Sequence, residues 1–384
     1  MRRVYLDHAA TTPVHPEVLE AMLPYLKEIY GNPMSLHDFG HEAKRACEDA
    51  RAKVAALIGA VPEEIIFTSC GTESNNMALK GIAWANQSKG KHIVTSQIEH
   101  HSIINTAKAL EKMGFEVAYL SVDKYGLVDP KAVEKTIRSD TILISIMHAN
   151  NEIGTIEPIS EISKLAKSKG ILFHTDSVSS VGTIPVNVNE LGVDLLSLAA
   201  NQFYGPKGVG ALYIRKGVRI TPLFHGGIQE GGRRAGTDNV PGIAGLGKAA
   251  ELALRDLQKR IEQILSLRDK LIKGLLEQIK NTYLNGHPIQ RLPGNVNVSI
   301  EFIEGESMLL SLNMQGVMVA SGSSCTSHVL KASHVLAAIG VDPALAQGSL
   351  LFSLGVDNTQ EDIDYVLEKL PAIVERLRKM SPLL

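Results

Sequence analysis

Cysteine is scarce in this chain, whose 384 residues include Cys47, Cys70 and Cys325 and no other cysteine. Three cysteines cannot build a disulfide framework, and no two of them have the Cys-x-x-Cys spacing of zinc or dithiol redox sites. The sequence therefore excludes a disulfide-stapled scaffold and a zinc-ribbon protein. Any cysteine chemistry must rest on a single thiol.

The chain also lacks an excess of either charge and lacks long apolar runs. Its 39 basic and 41 acidic residues give a formal net charge of −2, which offers no electrostatic attraction for nucleic acid or an anionic membrane. No apolar run reaches the roughly 20 residues that span a bilayer, and the first residues lack the apolar stretch of a signal peptide. We therefore expect a cytoplasmic protein with neither nucleic acid nor membrane as its partner.

Short β-branched segments alternate with longer helical patterns, which is typical of a parallel sheet with crossover helices. The predicted strands are 64–69, 92–96, 141–147, 171–175, 194–198 and 209–214. Several end in polar or glycine-containing turns, and in such folds these turns converge on one ligand site. At roughly 100 to 200 residues per domain, the length predicts two domains. Apolar residues at helical spacing from about 247 to 280 predict one long helix that connects them.

Further motifs occur along nearly the whole chain. They are Tyr5-Leu-Asp-His-Ala-Ala-Thr-Thr, Gly31-Asn-Pro, Phe67-Thr-Ser-Cys-Gly-Thr-Glu-Ser-Asn-Asn, His174-Thr-Asp, Arg234-Ala-Gly-Thr and Ser321-Gly-Ser-Ser-Cys-Thr-Ser. In sequence and order they resemble the motifs of NifS/IscS-type cysteine desulfurases. The resemblance implies an α/β protein of fold-type I that depends on pyridoxal 5′-phosphate (PLP). It implies a mainly parallel sheet in a large domain (15–255), a smaller α+β domain (1–14 and 256–384), and a homodimer with active sites at the subunit interface.

The resemblance assigns two cofactor contacts to strand ends. Asp176 would pair with the pyridine nitrogen of PLP and keep it protonated, which makes the ring an electron sink. Gly71 and Thr72 would hold the phosphate where free backbone N–H groups begin a helix. Each has a plainer alternative from the residues alone, because Asp176 could cap a helix and Gly71 and Thr72 could form an ordinary capping turn.

Three further contacts follow from the resemblance. His100 would stack on the cofactor ring, and Asn151 would contact its phenolic oxygen. Thr237, in the Arg-Ala-Gly-Thr motif, would reach the phosphate from the neighbouring subunit. Taken singly, a histidine or asparagine in a loop more often makes local hydrogen bonds than it binds a ligand.

Gln202 stands where the family carries the lysine that binds PLP covalently. The family turn reads Ser-x-His-Lys, and the matching residues here are Ala199, Asn201 and Gln202. An amide nitrogen cannot form that bond, and Ala199 and Asn201 remove about two hydrogen bonds to the phosphate, each worth roughly 1.5 to 3 kcal/mol. Lys207 is no obvious replacement, because family members also keep a lysine in that Gly-Pro-Lys-Gly turn. We therefore expect any bound PLP to be held noncovalently.

Other departures point the same way. Ser179 replaces a family glutamine that reaches the phenolic oxygen, and its side chain is too short to do so. Leu351 lies in the place of the arginine that binds the substrate carboxylate, and leucine offers no donor. Gly231 lies where an arginine commonly precedes the Arg-Ala-Gly-Thr motif. Loss of the general base alone typically costs about a hundredfold to ten-thousandfold in rate. The sequence therefore predicts impaired or absent desulfurase turnover.

Cys325 matches the family cysteine that accepts sulfur as a persulfide. It lies in a small, polar run typical of a loop, where an exposed thiol can ionise, and thiolates are also ordinary ligands of iron–sulfur clusters. Without the family match, an unreactive loop cysteine is the plainer interpretation.

Three hypotheses for the function stay open. The favoured one is a protein of iron–sulfur cluster assembly that docks an IscU-type scaffold and presents Cys325 as a sulfur acceptor, or as a ligand of a 2Fe–2S cluster shared with that scaffold. The second is an active PLP-dependent cysteine desulfurase, which converts L-cysteine to alanine and a persulfide. The third is a PLP enzyme with another amine substrate.

Overall fold

The computed structural model describes residues 2–321 and 333–380. The helices are α1 (Pro16–Lys27), α2 (Asp38–Ile58), α3 (Gly71–Asn86), α4 (His101–Glu111), α5 (Pro130–Thr136), α6 (Ile159–Ser168), α7 (Val188–Leu191), α8 (Val240–Gln278), α9 (Gly305–Met314), α10 (His334–Ala338), α11 (Pro343–Gln347) and α12 (Gln360–Met380). The strands are β1 (Val4–Tyr5), β2 (Ile65–Thr68), β3 (His92–Ser96), β4 (Glu116–Leu120), β5 (Thr141–Ser145), β6 (Leu172–Asp176), β7 (Leu195–Ala199), β8 (Gly210–Ile214), β9 (Thr282–Leu284), β10 (Asn295–Ile300), β11 (Val317–Met318) and β12 (Ser349–Ser353). Cys325 lies outside the described residues, so its predicted role stays a prediction.

The larger sheet has the strand order β2-β8-β7-β6-β5-β3-β4. Its members from β3 to β7 pair in parallel, whereas β8 runs antiparallel to both β2 and β7. Strands β2, β3, β5, β7 and β8 are buried along their whole length, because helices cover both faces. The predicted α/β class with a mainly parallel sheet is confirmed.

A second, smaller sheet has the order β12-β10-β9 and is antiparallel, and the short parallel pair β1–β11 lies near it. Its core contains Val4 and Leu6 from the start of the chain together with residues of α8, α9 and α12. The α+β character predicted for the C-terminal part is therefore present. The predicted limits of the domains, at 14/15 and 255/256, stay predictions.

Helix α8 joins the two cores. Val240 and Ile243 at its start belong to the core of the larger sheet, while Leu271 and Leu275 near its end belong to that of the smaller one. The helix begins seven residues before the predicted position because the Asn239 side chain caps it, accepting a hydrogen bond from the Gly242 N–H (3.2 Å). Among the described residues, none of the helices has the length and apolar character needed to cross a bilayer.

The His174 side chain forms hydrogen bonds to both strands that neighbour β6, and the candidate site lies at the ends of these three strands. Its imidazole is buried in β6, with Nδ1 2.8 Å from Ser145 Oγ in β5 and Nε2 3.0 Å from Ser197 Oγ in β7. Burial lowers the pKa of His174 to about 3, so the ring is neutral near pH 7. These bonds fix the register of three neighbouring strands just before their carboxyl ends.

Candidate active site

An open cleft lies at the carboxyl ends of β5, β6 and β7 and at the start of α3. It contains about 930 Å³ of empty space, which is ample for a small-molecule ligand. Its lining brings together most of the positions predicted from the sequence, namely Gly71, Thr72, His100, Asn151, Asp176, Ser179, Ala199, Asn201 and Gln202. Thr237 does not line the cleft of its own chain and lies exposed in the turn before α8. Its contact across a subunit interface stays a prediction.

Asp176 ends β6 and presents a buried carboxylate to the cleft. Asn75 Nδ2 donates to Asp176 Oδ2 at 2.6 Å, and the Val178 N–H donates to Oδ1 at 2.9 Å. Burial raises the pKa of Asp176, although these hydrogen bonds and the nearby His100 act in the opposite direction. A cation in the cleft, such as a protonated pyridine nitrogen, would compensate the cost of keeping this carboxylate ionised.

A chain of hydrogen bonds links this carboxylate to His100. Asn75 Nδ2 also lies 2.8 Å from Ser102 Oγ, and Ser102 Oγ lies 2.7 Å from His100 Nδ1. His100 caps α4, and its Nδ1 accepts a bond from the Ser102 N–H at 3.1 Å. The cap and the chain together fix the imidazole at the wall of the cleft.

Asn75 and Ser102 are site residues that sequence reasoning missed. Asn75 follows Gly71 by four residues and Thr72 by three on α3, and this spacing puts all three on one face of the helix. That periodicity was the available signal for Asn75. Ser102 offered none, because its contact with Asn75 joins two helices 27 positions apart.

The start of α3 suits a phosphate. Its first-turn backbone N–H groups have no intrahelical partner, and the 16-residue helix carries a positive dipole end here. Gly71 is required at this turn, because a Cβ there would lie 2.6 Å from Val178 Cγ2. Thr72 is exposed beside it and offers a hydroxyl. Ala199 lies next to this turn, with its Cβ 3.7 Å from the position of a Cβ at residue 71, and it offers no donor. The Asn201 backbone C=O accepts bonds from Thr12 N (2.9 Å) and Oγ1 (3.0 Å).

Gln202 is half-buried between the cleft and the N-terminal segment. Its Nε2 donates to the Ala9 carbonyl oxygen at 3.0 Å, so the side chain is held in place by the backbone. Lys207 lies outside the cleft, where its Nζ donates to the Thr12 carbonyl oxygen at 3.2 Å. Within residues 2–321 and 333–380, no lysine lines the cleft.

Leu351 lies in β12 and does not line the cleft. It is 5% exposed, and its backbone pairs with Ala320 through bonds of 2.9 and 3.0 Å. No donor therefore reaches the cleft from position 351. In the part of the chain that the structure describes, no group of three or more His, Cys, Asp or Glu side chains is placed to hold a metal ion. Cys325, the predicted cluster ligand, lies outside that part.

Comparison with known proteins agrees with this geometry. The model of the family described as Aminotransferase class-V matches residues 4–366. The chain is 59% identical over 381 residues to the protein named cysteine desulfurase IscS from Dictyoglomus turgidum, a match that covers 99% of this chain and 97% of that protein. It belongs to the NifS/IscS-type cysteine desulfurase family.

Two further relatives of this desulfurase family support the assignment. The cysteine desulfurase IscS of Methanosarcina thermophila is 58% identical over 382 residues, covering 100% of this chain and 94% of that protein. A solved structure titled NIFS-like protein has a TM-score of 0.93 at 42% identity, and the match covers 98% of this chain and 100% of that chain. The predicted family and its fold-type I architecture are confirmed.

The described residues fit the family's cofactor at the pyridine nitrogen, the ring and the start of α3, and they depart from it at Ala199 and at the covalent anchor. Asp176 offers a buried carboxylate for the pyridine nitrogen, His100 offers a ring beside it, and the start of α3 offers N–H groups for the phosphate. Gln202 offers an amide where the family has an amine. The donor set therefore suits PLP that is held by noncovalent contacts.

Proposed function

We propose that this chain is a desulfurase-family protein of iron–sulfur cluster assembly that holds PLP noncovalently and has little or no desulfurase turnover. The observation that carries the proposal is Gln202, whose amide lines the cofactor cleft and is bonded to the Ala9 carbonyl oxygen. An amide cannot attach PLP covalently, and it cannot serve as a general base near neutral pH.

Asp176 and His100 have roles in the cleft that do not need a lysine. Bound PLP supplies an electron sink for a substrate amine, and Asp176 supports it by keeping the pyridine nitrogen protonated. His100 stacks on the ring, held by Ser102 and Asn75. What is missing is a positioned group to take the Cα proton of the substrate, and such a group typically accelerates a reaction about a hundredfold to ten-thousandfold.

Cys325 and a scaffold partner complete the proposal. The Ser321-Gly-Ser-Ser-Cys-Thr-Ser motif matches the family segment whose cysteine carries sulfur, and the relatives' name IscS associates the family with iron–sulfur cluster assembly. We infer that a homodimer of this chain presents Cys325 to an IscU-type scaffold in the cytoplasm, as a sulfur acceptor or as a ligand of a shared 2Fe–2S cluster. As an acceptor, the Cys325 thiolate would attack the outer sulfur of a donor persulfide, and the donor thiolate would leave. As a cluster ligand it would bind iron, and sulfide would come from another source.

An active cysteine desulfurase is the second candidate, and the names of the relatives favour it more directly than they favour an impaired protein. In that reaction the Cβ–S bond of L-cysteine breaks, its sulfur joins the Cys325 thiolate as a persulfide, and Cβ takes a proton to give L-alanine. A group other than a lysine of the cleft would have to remove the Cα proton. His100 lines the cleft, and histidine is the side chain that most often acts as a general base.

Alanine formation from L-cysteine with added PLP and a thiol reductant separates the two candidates. We expect the wild type to stay near the rate of free PLP, because it lacks the base. A wild-type turnover of about 1 s⁻¹ or faster, the usual range of enzymes, would refute the proposal in favour of the active enzyme. A Lys207→Gln variant is the matched control, since Lys207 lies outside the cleft and its loss should not change the rate.

Cluster assembly provides the complementary measurement. With an IscU-type scaffold, ferric iron and added sulfide, we expect the wild type to support the absorption of an oxidised 2Fe–2S cluster, while L-cysteine in place of sulfide should not. A Cys325→Ser variant should lose this support. Equal support by wild type and Cys325→Ser would contradict the role given to Cys325.

A further inference from the structure

A second cavity lies behind Gln202, between the two hydrophobic cores. Helix α8, the segment 292–295 and the end of β12 form its walls, and it contains about 690 Å³ of empty space. It shares Ala9, Asn151, Ser179 and Gln202 with the cofactor cleft, so the two spaces adjoin. The roles proposed for the cofactor cleft leave this cavity without a ligand.

Arg260 is the charged side chain of this cavity, since none of the other described lining residues is Asp, Glu, Lys or Arg. It is 9% exposed, and its Nη1 is buried without an acceptor among the described residues. Its guanidinium stacks over the Tyr204 ring with 5.3 Å between Cζ and the ring centroid. The nearest carboxylate, Asp256, is 3.8 Å from Nη2, which is beyond hydrogen-bonding distance.

A guanidinium stays protonated in proteins, so a buried one whose nearest carboxylate is 3.8 Å away keeps a desolvation cost that a closer anion would offset. Burial lowers the pKa of Arg260, although Asp256 acts in the opposite direction. A carboxylate matches the planar fork of N–H donors best. The stacking on the Tyr204 ring restricts the orientation of the Arg260 guanidinium, which preorganises its N–H donors for a carboxylate.

Asn295 adds an acceptor to the lining of this cavity. It is 4% exposed, and its Oδ1 is buried without a donor among the described residues, while its Nδ2 donates to the Glu152 carbonyl oxygen at 3.0 Å. Part of the wall is apolar and includes Ile261, Ile264 and Leu354. A ligand that fits this wall has a carboxylate, an N–H donor and a short body.

We propose that this cavity binds a small α-amino acid, with its carboxylate on Arg260, its ammonium group toward Asn295 and its side chain against the apolar wall. The site lies on the far side of Gln202 from the cofactor cleft, and it binds its ligand without PLP. It does not depend on the function proposed above, because it concerns binding and not turnover.

Titration calorimetry of the full-length protein, without added PLP, tests this site with L-alanine and propionate as probes. We expect saturable binding of L-alanine and weaker binding of propionate, which lacks the ammonium group. Arg260→Gln should weaken L-alanine binding about tenfold or more, because a charge-assisted pair is lost. Lys273→Gln is the matched control, since this exposed lysine of α8 pairs with Glu277 away from the cavity and the variant should bind L-alanine as the wild type does.

Ile261→Phe provides a test that leaves Arg260 in place. This half-buried side chain lines the cavity, and a larger ring there should block L-alanine while circular dichroism shows an unchanged fold. Absence of saturable L-alanine binding to the wild type would overturn the proposal. The proposal would also be overturned if Arg260→Gln or Ile261→Phe bound L-alanine as tightly as the wild type does. Equal affinity of the wild type for propionate and L-alanine would overturn it as well.

Discussion

Replacing Asp176 by asparagine should weaken cofactor binding without harming the fold. The buried carboxylate accepts bonds from Asn75 Nδ2 at 2.6 Å and from the Val178 N–H at 2.9 Å. An asparagine has the same shape and removes the buried charge, whose cost shows in the raised pKa of Asp176. The Asn75 amide can also turn, because its Oδ1 has no partner among the described residues and can accept from the new amide. We therefore expect the melting temperature without PLP to stay level or rise.

The affinity for PLP should move in the opposite direction. A hydrogen bond to a charged group contributes about 1.5 to 3 kcal/mol, so losing the pair between Asp176 and the pyridine nitrogen should raise the Kd of PLP roughly 10- to 150-fold. Spectroscopic titration with PLP measures this change. Asp194→Asn is the matched control, since the Asp194 carboxylate accepts from the Phe173 N–H at 2.9 Å and does not line the cleft. An unchanged Kd in Asp176→Asn would refute the assignment of this carboxylate to the cofactor.

Three other predictions follow from the cleft and its surroundings. Iodoacetamide should alkylate Cys70 faster than Cys47, because Cys70 lines the cleft while burial raises the pKa of Cys47 to about 12. Bound PLP should slow the alkylation of Cys70. Peptide mapping that finds no protection of Cys70 would contradict the cleft as the binding site of PLP. Gly71→Ala should weaken PLP binding in the same titration, since the new Cβ would meet Val178 Cγ2 at 2.6 Å; unchanged affinity would remove the phosphate from this turn. Burial raises the pKa of Glu99 from 4.5 to about 8, so its contribution to stability is complete below pH 4.5 and is lost as the pH rises through 8. Between pH 4.5 and 8, the free energy of unfolding should therefore fall less steeply for Glu99→Gln than for the wild type, by up to about 1.4 kcal/mol per pH unit. If the free energy of unfolding has the same pH dependence in both proteins, Glu99 ionises normally.

The strands of the larger sheet could be predicted because most are continuous apolar, β-branched segments. Strand β4 was missed, since its residues from Glu116 to Tyr119 are exposed or half-buried at the sheet edge and give no such pattern. The reversed direction of β8 could not be predicted either. Direction depends on how the chain returns to the sheet, and no local residue pattern encodes it.

The position of the cleft followed from the strand ends, and the Gln202 substitution was visible in the sequence itself. The contacts that organise the site were not visible in the sequence, because Asn75 bonds to Asp176, 101 positions away, and to Ser102, 27 positions away. Arg260 gave no signal, since it is one of several arginines on a long amphipathic helix and its burial depends on how the two cores meet. The contact predicted for Thr237 across a subunit interface stays a prediction, because a single chain does not describe it.

Borohydride reduction with PLP, followed by intact mass measurement and peptide mapping, tests most directly whether any amine of the cleft can reach the cofactor. For the wild type we expect no reduced adduct on a residue of the cleft, and for Gln202→Lys we expect one adduct per chain at position 202. A stoichiometric adduct on a wild-type lysine, abolished for instance by Lys207→Gln and accompanied by steady alanine formation, would contradict the account.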